Sequence, residues 1–242
     1  MKITNDIFEL LMRAVSVGKI MGIQEIAMEE NEKGRMFRGM SDIGGTPVVL
    51  LQEIDTEIPF TGLGIQNAGS FLNKEKLAHS NDSDYTIYAQ IDNMSNNVKS
   101  LDFKGHKFKM SVNAAKTNVI RAPKAMKDID IAAVQLEEEE AVTLEQAVRA
   151  FNGAELIEIV SDGDNIHLEI KSNVDGGSFE FQLENEPLDL NGGTDGFVHS
   201  YPVKTFINLI KNSESKTIKI GRQGVLSGSI QDINMFVFPR RM

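Results

Sequence analysis

Hydrophobic residues recur at helical spacing in four short stretches of the chain and alternate with polar residues in most of the rest. The first stretch shows the helical pattern most clearly, because Ile7, Leu11 and Val15 fall on one face. Thr4 can cap this helix, and Gly18 is expected to end it. The pattern predicts helices over residues 4–17, 67–77, 143–151 and 202–212.

Short alternating segments bounded by Gly, Asn and Asp predict β-strands between these helices. Thr143 and Gln146 have the spacing of a capping box, so we expect the third helix to open there. Pro202 is expected at the first helical position of the fourth helix. The strands are predicted over residues 23–30, 35–40, 48–54, 60–65, 85–91, 98–103, 107–113, 156–161, 166–172, 178–183 and 197–201, with three more after residue 212.

The same order of elements occurs twice along the chain. The corresponding positions are Thr4 and Thr143, Phe71 and Phe206, Thr86 and Thr217, and Lys109 and Phe236. Repetition in a fixed order indicates two copies of one module, although chance agreement among short β-rich elements is the alternative. We therefore predict module 1 over residues 1–113, an irregular connector over 114–140 and module 2 over 141–242.

Composition narrows the class of protein. The 242 residues include no Cys, which excludes disulfides and Cys-ligated zinc and suits a reducing compartment. The first residues lack the long apolar region of a signal peptide, and no apolar run approaches the length of a membrane span. The net charge of −10 means that any binding to DNA depends on local segregation of basic residues.

Catalytic and metal-binding motifs are not evident. The four His residues are scattered without metal-ligand spacing, and no phosphate-binding G-x-x-x-x-G-K-[ST] motif occurs. Asp162 to Asn165 has some calcium-loop character, but a hairpin turn explains it better. We expect no enzymatic activity, no cofactor and no metal.

The last part of the chain, VHSYPVKTFINLIKNSESKTIKIGRQGVLSGSIQDINMFVFPRR, resembles the end of the DNA sliding clamps, the family that includes PCNA and the clamps of T4-like phages. Its helix precedes three strands that finish in an apolar-Pro-basic tail. The resemblance implies an α+β fold of two clamp modules per chain, with helices on one face of antiparallel sheets and six modules in a closed homotrimeric ring. The connector is similar to those of phage clamps, which implies a phage-encoded protein in the host cytoplasm.

The family resemblance also implies the function. It implies a processivity factor that encircles double-stranded DNA without reading sequence, tethers a DNA polymerase and other replication proteins, and is loaded by a separate clamp loader ATPase. The first alternative is a clamp-fold subunit that does not close alone, as in a hetero-ring or a monomeric processivity factor. The second is an unrelated β-rich hydrolase or binding protein.

The predicted helices carry more basic than acidic residues, as expected for helices that line a pore around DNA. Over residues 4–19, 67–78, 143–152 and 202–212, seven basic residues stand against four acids, Asp6, Glu9, Glu75 and Glu145. An ordinary solvated helix face is the alternative explanation. The residues expected to face DNA are Arg13, Lys19, Lys74, Lys76, Arg149, Lys204 and Lys211.

Two predicted strands carry opposite charge, which suits the two edges that would pair between neighbouring chains of a ring. The strand at 107–113 is basic, and the segment 178–189 holds four acids and no base. Ordinary strands with solvated outer faces are the alternative. The expected interface residues are Lys107, Phe108, Lys109 and Met110 on one edge and Phe179, Glu180, Phe181, Leu183 and Glu184 on the other.

Sliding clamps bind short partner peptides beside the connector, and apolar residues at matching positions are expected to form this pocket. Simple packing between modules is the alternative explanation of these apolar positions. The expected pocket residues are Met40, Ile43, Met126, Ile129, Ile131, Phe236, Phe238 and Pro239.

Overall fold

The computed structural model describes residues 1–31, 34–123, 125–126, 128, 130–151, 153–163, 165–172, 174, 176–187 and 196–240. The described chain forms two compact units, which we call unit 1 (residues 1–41 and 49–125) and unit 2 (residues 42–48 and 126–242). Its four α-helices are α1 (Asn5–Ile20), α2 (Ala68–Asn81), α3 (Glu138–Ala150) and α4 (Val203–Asn212).

Unit 1 contains α1, α2 and two antiparallel groups of strands. The strands are β1 (Ile26–Asn31), β2 (Gly34–Ile43), β3 (Thr46–Ile54), β4 (Gly62–Ile65), β5 (Thr86–Ile91), β6 (Val98–Lys104) and β7 (Lys109–Asn113). Four of them are ordered β3–β2–β1–β4, and the remaining three form the sheet β5–β6–β7. The few residues between 42 and 48, where β2 turns into β3, belong to unit 2.

An aromatic cluster holds the helices of unit 1 to the β5–β6–β7 sheet. The fully buried Phe103 of β6 lies 6.1 Å from Phe8 of α1 and 6.2 Å from Phe71 of α2, measured between ring centroids. Tyr85 completes the cluster at 5.7 Å from Phe103. Fully burying a side chain of this kind stabilises the fold by roughly 1.5–3 kcal/mol, and Phe71 and Phe103 are both fully buried.

Unit 2 places α3 and α4 against a longer antiparallel run of strands. The strands are β8 (Asp130–Gln135), β9 (Leu156–Ser161), β10 (Ile166–Lys171), β11 (Ser178–Pro187), β12 (Phe197–Pro202), β13 (Thr217–Gly221), β14 (Leu226–Ile230) and β15 (Ile233–Val237). Their order is β12–β9–β10–β11–β8–β13–β14–β15. Helix α4 buries Phe206, Leu209 and Ile210 and leaves Lys204 and Lys211 exposed.

Each unit has the same order of elements: an opening extended segment, a helix, four strands, a second helix and three strands. In unit 2 the opening strand is β8, which pairs with β13. In unit 1 the residues around Lys2 take this role, because Lys2 forms a β-bridge with Tyr88 of β5. The predicted correspondence of Thr86 with Thr217 agrees with the structure, since these residues begin β5 and β13.

The boundaries of several predicted elements are wrong. Helix α1 continues through Gly18 to Ile20. Gly18 is buried, and a Cβ at this position would lie 2.5 Å from the Ile26 side chain. The glycine therefore permits close packing and does not end the helix. Strand β1 begins at Ile26 instead of residue 23, and Pro202 is the N-cap of α4 instead of its first helical residue.

The expected irregular connector and the start of the third helix also differ from the structure. Residues 130–135 form β8, and α3 begins at Glu138 instead of Thr143, so Thr4 and Thr143 do not correspond. The capping box is Glu137 with Glu140, whose carboxylate accepts a hydrogen bond from the Glu137 N–H at 2.7 Å. Acidic residues are stabilised at a helix N-terminus, so the acidic run forms the first turn of the helix.

Candidate interaction surfaces

The four helices carry no net excess of basic residues. Their observed bounds contain seven basic and seven acidic residues, because the earlier start of α3 adds Glu138, Glu139 and Glu140. The expected positive excess across the helices is therefore wrong. The basic charge is concentrated in α2 and α4, while the N-terminal turn of α3 is acidic.

The basic residues expected to face DNA differ in their surroundings. Lys19, Lys74, Lys76 and Lys204 are exposed, and none of these four forms an ion pair within the described residues. Arg13 of α1 is half-buried. Helix α1 also carries Asp6 and Glu9, so the clearest candidates for contact with phosphate are the lysines of α2 and α4.

Glu145 of α3 partly neutralises the basic surface of unit 2. Its carboxylate lies 2.6 Å from the Lys211 ammonium and 3.9 Å from the Arg149 guanidinium. The pair between Glu145 and Lys211 connects α3 to α4, beside a groove of about 510 Å³ that Glu145, Arg149 and Lys204 line. An exposed pair of this kind contributes only about 0–1 kcal/mol, so an approaching phosphate can compete with Glu145 for Lys211.

Strand β7 is an edge strand with a basic surface. It pairs with β6 on one side, and no other strand of the described residues pairs with its opposite side. Met110 and Val112 lie opposite Phe103 and Leu101, so they belong to the core face, and Met110 remains half-exposed. Lys109 is on the other face, where its ammonium lies 3.9 Å from buried Asp102.

Asp102 anchors the basic side of this edge. Its carboxylate accepts hydrogen bonds from Ser111 at 2.7 Å and from Gln90 at 2.9 Å. These bonds hold the pKa of Asp102 below its ordinary value, the Ser111 bond being the larger cause. Lys107 and Phe108 precede β7, in the turn where the Phe108 ring packs over Gly105, so the predicted strand began two residues too early.

Strand β11 exposes an acidic edge with an apolar face. Residues 178–183 pair with β10, whereas only residues 184–187 pair with β8, so the first part of β11 has no second partner strand in the described structure. The half-exposed rings of Phe179 and Phe181 stack at a centroid distance of 6.4 Å. Glu180 is on the opposite face, with its side chain 69 % exposed and 3.9 Å from His167.

Leu183 does not fit the expected interface. It is 3 % exposed and lies opposite Ile166 of β10, so it is a core residue of unit 2. Leu183 is on the same face of β11 as Phe179 and Phe181, but its side chain is in the core. Phe179 and Phe181 lie in the part of the strand that has no second partner strand in the described structure. The side chain of Glu184 lies outside the described residues.

The face of unit 2 opposite its helices carries exposed apolar residues at the end of the chain. Met235 and Val237 are buried, and Met235 lies opposite Gly228, against which Leu209 of α4 packs. Phe236 therefore points to the outer face, where it is half-exposed, and Phe238 and Pro239 are also half-exposed. The Phe238 N–H donates to Pro47 at 2.9 Å, which holds this tail against residues 42–48.

The other expected pocket residues are only partly available for binding. Ile43 and Met126 of unit 2 and Met40 of unit 1 are half-buried, but Ile131 is only 8 % exposed. Ile129 lies outside the described residues. The apolar surface that unit 2 presents therefore consists chiefly of Phe236, Phe238 and Pro239, with Ile43 and Met126 as further candidates.

A buried guanidinium, which no sequence pattern indicated, holds the chain that follows β7. Arg38 of β2 donates hydrogen bonds to the carbonyls of Ile120 and Ala122, both at 2.9 Å. It also forms an ion pair with Glu29, with Nε and Nη2 lying 2.8 and 2.9 Å from the two carboxylate oxygens. The signal that could have found it is a charged residue directly between Phe37 and Gly39, although β2 also carries Arg35, Ser41 and Asp42.

Two common classes of functional site are not found in the part of the chain that the structure describes. No group of three or more His, Asp or Glu side chains is arranged to hold a metal ion. No helix there is long and apolar enough to cross a membrane.

Three solved structures that are similar to this chain contain PCNA proteins. An A. fulgidus PCNA bound to the C-terminal region of FEN-1 matches with a TM-score of 0.60 and 17 % identity over 96 % of both chains. A PCNA2–PCNA3 complex from Sulfolobus tokodaii matches with a TM-score of 0.59 and 16 % identity over 95 % of both chains. The PCNA of Entamoeba histolytica matches with a TM-score of 0.61 and 16 % identity over 96 % of this chain and 95 % of that one.

These matches are evident in structure and not in sequence. No protein-family model matches the sequence, and no curated protein matches it. The coverage extends over almost the whole chain, including both units and the closing strands on which the sequence resemblance rests. The chain therefore has the α+β fold of the PCNA sliding clamps.

Proposed function

We propose that the protein is a sliding clamp, a non-catalytic processivity factor that encircles double-stranded DNA. The observation that carries this proposal is the structural match to PCNA over 96 % of both chains at a TM-score of 0.60. In such a ring, closure retains the protein on DNA, while weak contacts with phosphates permit sliding. The chain itself performs no chemistry in this role.

The ring is proposed to be a homotrimer with six modules. Two open strand edges on the same chain support it, because β7 offers Lys109 and β11 offers Glu180. Each edge also has half-exposed apolar residues, Met110 on one and Phe179 and Phe181 on the other. Pairing complementary edges head to tail buries the apolar faces and closes a ring when the rotation permits. Since one chain carries both edges, no second kind of subunit is required.

DNA is proposed to contact chiefly α2 and α4, through Lys74, Lys76, Lys204 and Lys211. These lysines are exposed. Lys19, Arg13 and Arg149 are proposed as weaker contributors. Side chains that reach phosphates but no base edges give binding that does not depend on sequence, which a sliding protein needs.

The outer apolar surface of unit 2 is proposed to dock replication proteins, including a DNA polymerase and a clamp loader ATPase. Phe236, Phe238 and Pro239 support this, because three adjoining apolar side chains that are half-exposed at the end of a strand are suited to a peptide anchor. The PCNA of A. fulgidus binds the C-terminal region of FEN-1. The resemblance of the connector to phage clamps supports a phage-encoded protein that acts in the host cytoplasm.

Subunit closure can be tested by crosslinking, because the chain contains no Cys. A K109C/E180C variant, treated with a short bismaleimide, is expected to form a covalent closed trimer on a denaturing gel. The single variants K109C and E180C are matched controls and cannot form more than dimers. If the double variant also gives only monomers and dimers, the proposed head-to-tail edge pairing is wrong.

A further inference from the structure

We propose that Asp128 is a positioning residue that fixes the end of the connector by binding its carboxylate to the turn between β13 and β14. We call this contact the Asp128 latch. It deepens the proposed function, because Asp128 lies between Met126 and Ile131 of the expected partner pocket. The latch itself involves only unit 2, so it can be measured whether or not a ring forms.

Backbone amides of the turn point at the carboxylate. The Gln223 N–H donates to the two Asp128 oxygens at 3.2 and 3.3 Å, and the Val225 N–H donates to Oδ2 at 3.4 Å. Successive amides that converge on one anion form a concave site for negative charge. Hydrogen bonds to a charged acceptor are stronger than those between neutral groups, and the amides of Gln223 and Val225 share this carboxylate.

The sequence of the turn leaves room for this carboxylate. A Cβ at Gly221 would lie 2.0 Å from Asp128 Oδ2, so only glycine at this position allows the carboxylate to approach. The backbone at Gly221 is not in the left-handed region. The glycine is therefore explained by the space that Asp128 occupies and not by the conformation of the turn.

The turn is also held by hydrogen bonds that do not involve the carboxylate of Asp128. The buried Tyr201 hydroxyl donates to the Gly224 carbonyl at 2.5 Å. Gly224 has a φ of +78, and a Cβ there would lie 2.7 Å from the His199 ring. Bonds from the Gly221 N–H to Val225 at 2.8 Å and from the Gly224 N–H to Gly221 at 2.9 Å close the turn.

The consequence is a fixed connector end beside the apolar tail of unit 2. Asp130 adds a weaker contact, with its carboxylate 3.6 Å from the exposed ammonium of Lys219. An exposed pair of this kind contributes little, whereas the latch uses backbone donors of a rigid turn. A connector held in this way presents Met126 in one position, which reduces the ordering cost when a peptide docks.

Two substitutions break the latch by different routes. D128N keeps the size of the side chain and removes its charge, and G221A keeps the charge and fills the space. In both we expect amide hydrogen exchange at Gln223 and Val225 to accelerate about tenfold or more. A spin label on M126C, the only thiol in such a chain, is expected to become more mobile. D130N is the matched control and should leave both measurements close to those of the parent chain.

The proposal is overturned if D128N changes amide exchange and label mobility no more than D130N does. If G221A fails to fold, the comparison of D128N with D130N is sufficient to test the proposal. Failure of the latch is distinct from failure of the clamp, since crosslinking of K109C/E180C into a trimer does not depend on the position of Met126. A trimer with an unchanged label in D128N rejects the latch alone.

Discussion

Methionine has a side chain of similar length to arginine but no charge. Replacing Arg38 with methionine therefore removes a buried positive charge and is expected to destabilise the chain strongly. The Arg38 side chain is 8 % exposed and that of Glu29 is 14 % exposed. The substitution leaves the Glu29 carboxylate without the Arg38 guanidinium. It also removes the two 2.9 Å hydrogen bonds that the guanidinium donates to the Ile120 and Ala122 carbonyls. Breaking a buried ion pair by removing one partner costs about 3–5 kcal/mol, a large share of a total stability of about 5–15 kcal/mol.

The measurement is urea unfolding at pH 7 followed by circular dichroism, with thermal unfolding as a second readout. For a chain of this size each kcal/mol lowers Tm by about 2–4 °C, so R38M should lower it by about 6–20 °C. R35M on the same strand is the matched control, because the Arg35 guanidinium lies 4.0 Å from a half-exposed Glu30 carboxylate and its loss should cost about 1 kcal/mol or less.

A double variant separates the unpaired charge from lost packing. E29Q/R38M removes both charges, so we expect it to be more stable than R38M alone. Amide exchange in the described residues 117–122 should rise in both variants, because the guanidinium also holds those carbonyls. A loss below about 1 kcal/mol in R38M would refute the reasoning, since exposed pairs already reach that value.

Three further predictions concern the other sites. Y201F removes the hydroxyl that donates to the Gly224 carbonyl and should lower the free energy of unfolding, measured in urea, by about 1–3 kcal/mol. An unchanged free energy of unfolding would contradict this prediction and would mean that the carbonyl has another donor. The Nδ1 atom of His106 lies 2.8 Å from Asp82, and this hydrogen bond raises the pKa of His106; the pair should therefore stabilise below the ordinary His pKa of about 6.5 and lose that effect as the pH rises through the folded pKa. D82N should return the His106 pKa, followed by NMR, toward 6.5, and an unchanged titration would contradict this. K204E/K211E should weaken DNA binding and reduce its salt dependence while a bound partner peptide is retained, whereas F238A should do the reverse; loss of the same activity in both would reject the separate surfaces.

The elements with strong hydrophobic patterning were predictable from the sequence. Helix α4 and the three strands after it follow the pattern closely, because Phe206 and Leu209 pack against strands that alternate as expected. The similarity of the two halves was also visible, since α2 and α4 begin at comparable positions of the repeat. A repeated module buries apolar residues at the same spacing in both copies. This pattern is visible in a single sequence.

Features that depend on hydrogen bonds to backbone groups, or on charged side chains, were harder to predict. The acidic start of α3 has no apolar spacing, and its cap is made by Glu137 and Glu140, so the sequence pattern included it in the irregular connector. Arg38 and Asp128 act on backbone groups far away in the chain. Nothing in the neighbouring sequence specifies those partners, although an Arg between Phe37 and Gly39 and a Gly at the start of a turn are signals in retrospect.

The most direct test of the central claim is topological retention on DNA. A linear duplex is fixed to a bead at one end, incubated with the K109C/E180C variant, blocked at its free end with streptavidin and then crosslinked. We expect protein to remain on the bead in 1 M salt and to be released when a restriction enzyme cuts the duplex, because a closed ring escapes only through an end. Release by salt alone, or retention after the cut, would contradict encirclement.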